Sequence, residues 1–418
     1  MTELDGTLTD LARQRSVGEP IVSLYLDVRW ADEQQRERVR LFVQERVRHT
    51  LAHYPPGTPD RPALDRTLQR VLEHVNGLTT QASPAEKDGF ALFACEGLGL
   101  WQPMSFRRPF TPELCTDAIP HLVQLARLAD DFEPAIVVVP NQAGADVYEV
   151  RLGDLATESS LRGFVPRRDR DRFNPGAARP GQRFERQEKD GRHEEAFIQK
   201  NRRAAAAEVE LRLSRTPGAH LVLVGTAQNV AAFERELPER ARARVIARLP
   251  RPREWESTGG ARRDGVVAGA AAAVAEHERA AERRIVDVLV GEALRGGLGV
   301  VGPEDVVQAL NEGRVHRLVL EEDFQRAGWQ CDRCAALGAT RGADLCPYCG
   351  GDLHIVQQLG EALVARTLAG GGAVEVVAHA NRLHGYRGVG AFLRQTAPTG
   401  LRGASPPWPT ASLDSGRA

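Results

Sequence analysis

A long polar stretch near the middle of the chain, Arg162 to Arg203, sets the strongest limit on how the rest can fold. It carries 13 basic and 7 acidic residues, a local balance of +6 within a chain whose formal total is −1. Between Val165 and Arg192 almost nothing apolar appears, so this part has little with which to build a core. Pro166, Pro175, Pro180, Gly176 and Gly181 interrupt any regular element there. From about His193 the composition turns to Glu, Ala, Gln, Lys and Arg, which are good helix formers. The pattern predicts a basic loop at the foot of a long helix, braced by compact lobes. Long loops without structure of their own are usually functional or disordered. Arginines left unpaired in such a loop suit phosphate; a solvated face with no partner fits the same charge run.

The length of 418 residues predicts two to four domains. A hydrophobic share of 42% and a charged share of 27% are those of a globular protein. No apolar run approaches the roughly 20 residues that span a bilayer, and the opening MTELDGTLTDLARQRS has no apolar signal core. No membrane partner is expected, and the chain reads as cytoplasmic.

The lobes read as α/β. In the first, residues 1–158, helices are predicted over Thr2–Arg15, Asp32–Tyr54, Pro62–Asn76 and Leu114–Leu128. Strands are predicted over Ile21–Val28, Gly89–Ala94, Leu98–Leu100 and Met104–Arg108, with a hairpin of Ala135–Val139 and Ala145–Leu152. Cys95 and Cys115 stand alone in apolar settings and read as small buried hydrophobes. In the second lobe, 159–284, a helix from His193 to Ser214 leads to a buried strand, His220–Gly225. A helix at Asn229–Glu236, a short strand at Val245–Ala247, a Pro- and Gly-bearing linker at Leu249–Gly260 and an Ala-rich helix at Val266–Arg284 complete it. In the third, 285–397, helices are predicted at Glu304–Gly313 and Leu359–Ala369 and strands at His316–Leu320 and Ala373–Val377. Gly388–Arg394 reads as a glycine-led turn into a short helix. The tail, 398–418, is Pro-, Gly- and Ser-rich and reads as disordered.

Four of the six cysteines form two CxxC pairs, Cys331/Cys334 and Cys346/Cys349, eleven residues apart. Two such knuckles place four thiolates around one tetrahedral ion at about 2.3 Å. Gly342 and Gly350 leave room for backbone to turn toward sulfur. A closed sulfur tetrahedron favours a structural zinc ribbon over residues 328–354. With every position filled by protein, such an ion has no open site for catalysis.

The order of these elements, with three local motifs, resembles the class-one peptide chain release factors of eukaryotes and archaea, their relative Pelota, and the release-factor-like branch of bacteria that includes Balon-like hibernation and rescue factors. VVGPEDVVQALNEGRVHRLVL (Val300–Leu320) is similar to the family's last domain, as is Gly388–Arg394. Archaeal members carry a cysteine ribbon at the same insert. Pro180-Gly181-Gln182-Arg183-Phe184 and Arg192-His193 resemble the family's Gly-Gly-Gln loop with its Arg-Phe and Arg-His, and LVLVGTA (Leu221–Ala227) matches its middle strand. The shared order covers nearly all of residues 20–395. Three departures stand out. Pro180 replaces the loop's first glycine, residues between Gln182 and Arg183 are missing, and the first domain lacks both the Asn-Ile-Lys-Ser and the Tyr-x-Cys stop-codon motifs.

The resemblance implies a three-domain α/β architecture with a zinc ribbon inserted in the C-terminal domain. It also implies a tRNA-shaped monomer that occupies the ribosomal A site, in hibernation or rescue more than in stop-codon reading. Arg179, Arg183, Arg186, Arg192, Lys200, Arg202 and Arg203 become candidate rRNA-binding residues. The last domain would meet the stalk base or a translational GTPase such as elongation factor Tu. The alternative implied activity is peptidyl-tRNA hydrolysis on stalled ribosomes, with Gly181 and Gln182 as catalytic candidates. A nucleic-acid-binding role away from the ribosome is a third reading.

Overall fold

The structure, a computed structural model, describes residues 3–30, 32–80, 88–131, 134–151, 154–164, 180–251, 260–340, 344–378 and 382–395. The chain divides into two compact units, one from residues up to 130 and from 279 onward, the other from residues 131–278.

The first unit opens with α1 (Glu3–Ala12) and β1 (Ile21–Asp27). Then come α2 (Glu33–His53), α3 (Arg61–Thr80), β2 (Gly89–Cys95), β3 (Leu100–Phe106), β4 (Glu113–Asp117) and α4 (Val123–Asp131). The sheet is antiparallel with order β3-β2-β1-β4. Val22, Leu24 and Leu26 of β1 face Val43 and Val47 of α2 and Leu64, Leu68 and Val71 of α3, as the period of two along a strand requires. On the other face Tyr25 packs on Phe93 and Phe110, with ring centroids 5.8 and 5.0 Å away. Asp32 caps α2, accepting from Gln35 N at 2.8 Å, a bond worth about 1 kcal/mol. The helix expected over Leu114–Leu128 is corrected. Its first part is β4, which pairs with β1, and Pro120 separates that strand from α4. The two strands expected between Leu98 and Arg108 are one, β3.

The second unit holds β5 (Ala135–Asn141), β6 (Gly144–Arg151), β7 (Asp154–Arg162), α5 (Pro180–Arg215), β8 (His220–Val224), α6 (Ala227–Glu236), α7 (Glu239–Arg242) and β9 (Val245–Leu249). The helix α8 (Gly260–Leu294) runs on from it into the first unit's residues. Sheet order is β7-β6-β5-β8-β9, with β5, β8 and β9 parallel. Ile136, Val138, Leu221 and Leu223 pack on Ala205, Ala206 and Val209 of α5 and Phe233 of α6. Val137, Val139, Val222 and Val224 pack on Val266, Ala270 and Val274 of α8. Parallel strands covered on both faces read as continuous apolar runs, as AIVVV and HLVLV do. The hairpin β5–β6 therefore belongs to this sheet, and the boundary expected at 158 falls inside β7. The helix expected from about His193 starts earlier. Helix α5 begins at Pro180, a residue suited to the first helical position, and residues 183–189 are mostly helix formers.

The first unit's remaining elements are β10 (Gly299–Val301), α9 (Pro303–Asn311), β11 (Val315–Glu321), β12 (Gly328–Cys331), β13 (Leu337–Gly338), β14 (Leu353–Val356), α10 (Leu359–Ala369), β15 (Ala373–Val377) and β16 (Val389–Leu393). They form a sheet of order β10-β16-β11-β15 and a small sheet β13-β12-β14 placed between β11 and α10 in the chain. The short helix expected at Gly388–Arg394 is instead β16, paired antiparallel with both β10 and β11. Gly388, at φ +77, makes the turn into it against Glu321. Among the described residues no helix is long and apolar enough to cross a membrane. The tail expected to be disordered lies outside the described residues.

Candidate functional site

The structure brings the four CxxC cysteines together. The Sγ atoms of Cys331, Cys334, Cys346 and Cys349 all lie within 4.8 Å of one another. Cys331 and Cys349 are 3.4 Å apart, and Cys334 and Cys346 are 3.5 Å apart. Two turns produce this. Ala335, at φ 55, closes the first knuckle, with its N–H bonded to Cys331 O at 3.0 Å. Gly350, at φ +69, closes the second, bonded to Cys346 O at 2.8 Å. Gly351 is needed for a different reason, since a Cβ there would sit 3.2 and 3.3 Å from the sulfurs of Cys331 and Cys349. Gly350 thus has the turning role expected of it, while Gly342 lies outside the described residues.

Without a cation, four thiols at this spacing cannot all ionise. Burial pushes the Cys334 thiol up to about 12. Against desolvation, the Gly351 backbone N–H and the neighbouring thiols bring Cys349 down to about 7. Burial raises the Cys331 thiol as well, so the Cys349 thiolate forms readily while Cys331 and Cys334 resist, the electrostatics of a site suited to a thiophilic divalent ion. The cluster is tied to the surrounding domain by polar contacts. Asn311 of α9 donates to Leu337 O at 2.8 Å and accepts from Leu337 N at 3.0 Å. Arg366 of α10 donates to Ala335 O; within the small sheet itself, Trp329 Nε1 donates to Thr340 O at 2.9 Å.

The basic residues are placed along α5 and just before it. Gly181, Gln182, Arg183, Arg186 and Arg192 fall in the first turns of the helix, and their side chains lie outside the described residues, as does Arg179. Lys200 is exposed, with no ion pair among the described residues. Arg202 reaches Glu195 at 3.6 Å. Arg203 bonds Glu236 at 2.8 Å, and that bond holds the Glu236 carboxyl below its usual range. These two arginines are thus partly neutralised within their own unit.

Composition does not reveal a clasp midway along α5. Buried Asn201 donates to Phe164 O at 3.1 Å, and a Cβ on Gly163 would lie 1.9 Å from Asn201 Oδ1. The exposed Phe164 ring meets Phe197 edge-on at 5.8 Å, and Phe197 meets His193 at 5.1 Å. His193, Phe197 and Asn201 recur every fourth residue, the one local signal that they share a helix face. The clasp fixes the end of β7 against α5.

Residues 120–283 match the family model of bacterial archaeo-eukaryotic release factor family 10. The matched stretch takes in the whole five-stranded sheet with α5 and most of α8, and over these residues the chain is similar to that release-factor family.

Among solved structures, the archaeal translation termination factor aRF1 is similar at 16% identity, over 94% of this chain and 97% of that one, with a TM-score of 0.24. Pelota of Archaeoglobus fulgidus is similar at 16% identity, over 74% and 80%, with a TM-score of 0.32. A model of ribosome-bound archaeal Pelota with ABCE1 is similar at 14% identity, over 94% and 95%, with a TM-score of 0.38. Likenesses at TM-scores this low say nothing about function. No curated protein matches the chain.

Proposed function

We propose that the chain is a ribosome-binding factor that occupies the A site during hibernation or rescue. The family match over residues 120–283 carries this reading, because it covers the basic stretch and the helix that anchors it. Arg179, Arg183, Arg186, Arg192 and Lys200 contact rRNA phosphates, with Arg202 and Arg203 supporting from just beyond Lys200 on α5. The foot of α5, with Gly181 and Gln182, points toward the peptidyl transferase centre. The first domain lies near the decoding centre, and the C-terminal domain meets the stalk base or a translational GTPase, elongation factor Tu being a candidate. The protein acts as a monomer in the cytoplasm. Cys331, Cys334, Cys346 and Cys349 hold a zinc ion whose role is structural, since all four of its positions are taken by protein sulfur.

The test is co-sedimentation with vacant ribosomes across a potassium chloride series. Each phosphate contact contributes roughly 0.7–0.9 to the slope of log affinity against log salt. Alanine at Arg179, Arg183, Arg186 and Arg192 together is expected to weaken binding and flatten that slope by about 3. Unchanged affinity and slope in this variant would overturn the reading.

A further inference from the structure

The residues around Cys115 form a second cluster with metal-binding chemistry. Cys115 lies on β4, Glu113 two residues before it, and His121 on the turn into α4. The Sγ of Cys115, a carboxylate oxygen of Glu113 and a ring nitrogen of His121 all lie within 4.8 Å of one another. His121 Nδ1 is 2.9 Å from Cys115 Sγ and 3.6 Å from Glu113 Oε1. The other ring nitrogen, Nε2, is 3.3 Å from Asp117 Oδ2. A carboxylate behind the far nitrogen is the arrangement that fixes the tautomer and raises the basicity of a metal-ligating histidine.

Charge favours a cation here. Two carboxylates, those of Glu113 and Asp117, flank one imidazole that is only 4% exposed, and the carboxyl of Glu361 lies close by. Among the described residues no lysine or arginine pairs with any of the three. Cys115, His121 and Asp117 also have the outline of a nucleophile, base and orienting acid. Burial pushes the Cys115 thiol up to about 11, however, which makes it a poor nucleophile.

We infer that Glu113, Cys115 and His121 bind a divalent transition metal, zinc by preference, separate from the ion of the four-cysteine cluster. Sulfur, imidazole and carboxylate together are a donor set typical of zinc. Metal–ligand lengths of about 2.3 Å to sulfur and 2.0 Å to nitrogen hold those two atoms roughly 3.5 Å apart, so Cys115 rotates outward slightly as the ion enters. Binding releases the thiol proton of Cys115 and the Nδ1 proton that Asp117, Cys115 and Glu113 help hold on His121. The bound ion joins β4 to the start of α4, at the point where α10 supplies Glu361 to the backbone of Leu122 and Val123. Its effect is to lock that junction.

The experiment is elemental analysis of the full chain produced with zinc, together with the absorption spectrum of the cobalt-substituted protein. Four proteins are compared: wild type, Cys115→Ser, Glu113→Gln, and the double variant Cys346→Ser Cys349→Ser. The expected result is that the first two variants each hold one zinc fewer than wild type. The double variant should also lose one, while its cobalt form keeps a weak single-thiolate band. Glu113→Gln preserves volume and partial exposure, so it reports even if Cys115→Ser folds poorly. Equal zinc content in wild type, Cys115→Ser and Glu113→Gln overturns the inference, whatever the four-cysteine cluster holds.

Discussion

The Glu361 carboxylate, on α10, accepts the backbone N–H of Leu122 at 2.5 Å, across 239 residues of sequence, and that of Val123 at 3.0 Å. It thereby serves as the cap of α4 from another part of the unit, satisfying donors that a helix start leaves open.

Burial raises the Glu361 carboxyl from 4.5 to about 7, although these two N–H groups and His121 pull it the other way. A carboxyl whose folded value exceeds its unfolded one holds an extra proton in the folded chain between those two values. Its contribution is therefore complete below pH 4.5 and is lost as pH rises toward 7. Glu361→Gln keeps an acceptor for the N–H groups and removes the titration. Between about pH 5 and about pH 8, wild type should lose roughly 2.5 kcal/mol relative to Glu361→Gln. Urea unfolding of both proteins at the two pH values measures this, and a constant gap speaks against it.

Asn311 mimics a strand partner for Leu337, giving and taking one hydrogen bond at a buried place. Asn311→Ala leaves the Leu337 N–H and C=O without that partner. The expected cost is about 1–3 kcal/mol per group. Hydrogen exchange should speed up at Leu337 and through residues 328–356, with the sheet of β10, β16, β11 and β15 little changed. Protection that stays the same would show that the contact is dispensable.

The two glycines after Cys349 should respond differently. Gly351→Ala forces a Cβ to 2.9 Å from Arg333 Cβ and against two sulfurs, so zinc should be lost to a chelator at least tenfold faster. Gly350→Ala meets open space and bears only the cost of its positive φ, about 1–2 kcal/mol. If both variants retain zinc equally, the crowding around Cys331 and Cys349 is not what selects glycine.

An A-site factor of the kind proposed need not hydrolyse ester bonds. Pro180 lacks an N–H and fixes φ where a glycine turn would present donors, and α5 already begins at this residue. Purified protein added to ribosomes bearing P-site peptidyl-tRNA should release no peptide. Release that disappears in Gln182→Ala would replace the proposal with the hydrolase reading.

The sequence disclosed what is encoded locally. Leu359–Ala369 and Ala373–Val377 have the bounds expected of them, because glycines close the helix and a β-branched run comes after it. The cysteine knuckles were legible from spacing alone. Partners distant in sequence were not. VGAFL looks like the start of a helix until β10 and β11 flank it. The hairpin β5–β6 was legible, but its parallel neighbour β8 arrives only after α5. Leu114–Asp117 pairs with β1, which lies far upstream. Glu113, Cys115 and His121 escaped notice because a strand and a turn bring them together, and Cys115 looked like one more small apolar side chain. The Asn201 clasp was hidden because nothing in KNRR marks that asparagine as the buried one.

The central claim is that the foot of α5 reaches along ribosomal RNA into a site shaped for transfer RNA. A cryo-EM map of the full chain added to vacant ribosomes tests it most directly. The predicted result is density in the A site, with Gln182 beside the peptidyl transferase centre and Arg183 and Arg186 against phosphates. Saturating protein that leaves the A site empty, or that binds with Gln182 far from that centre, would contradict it.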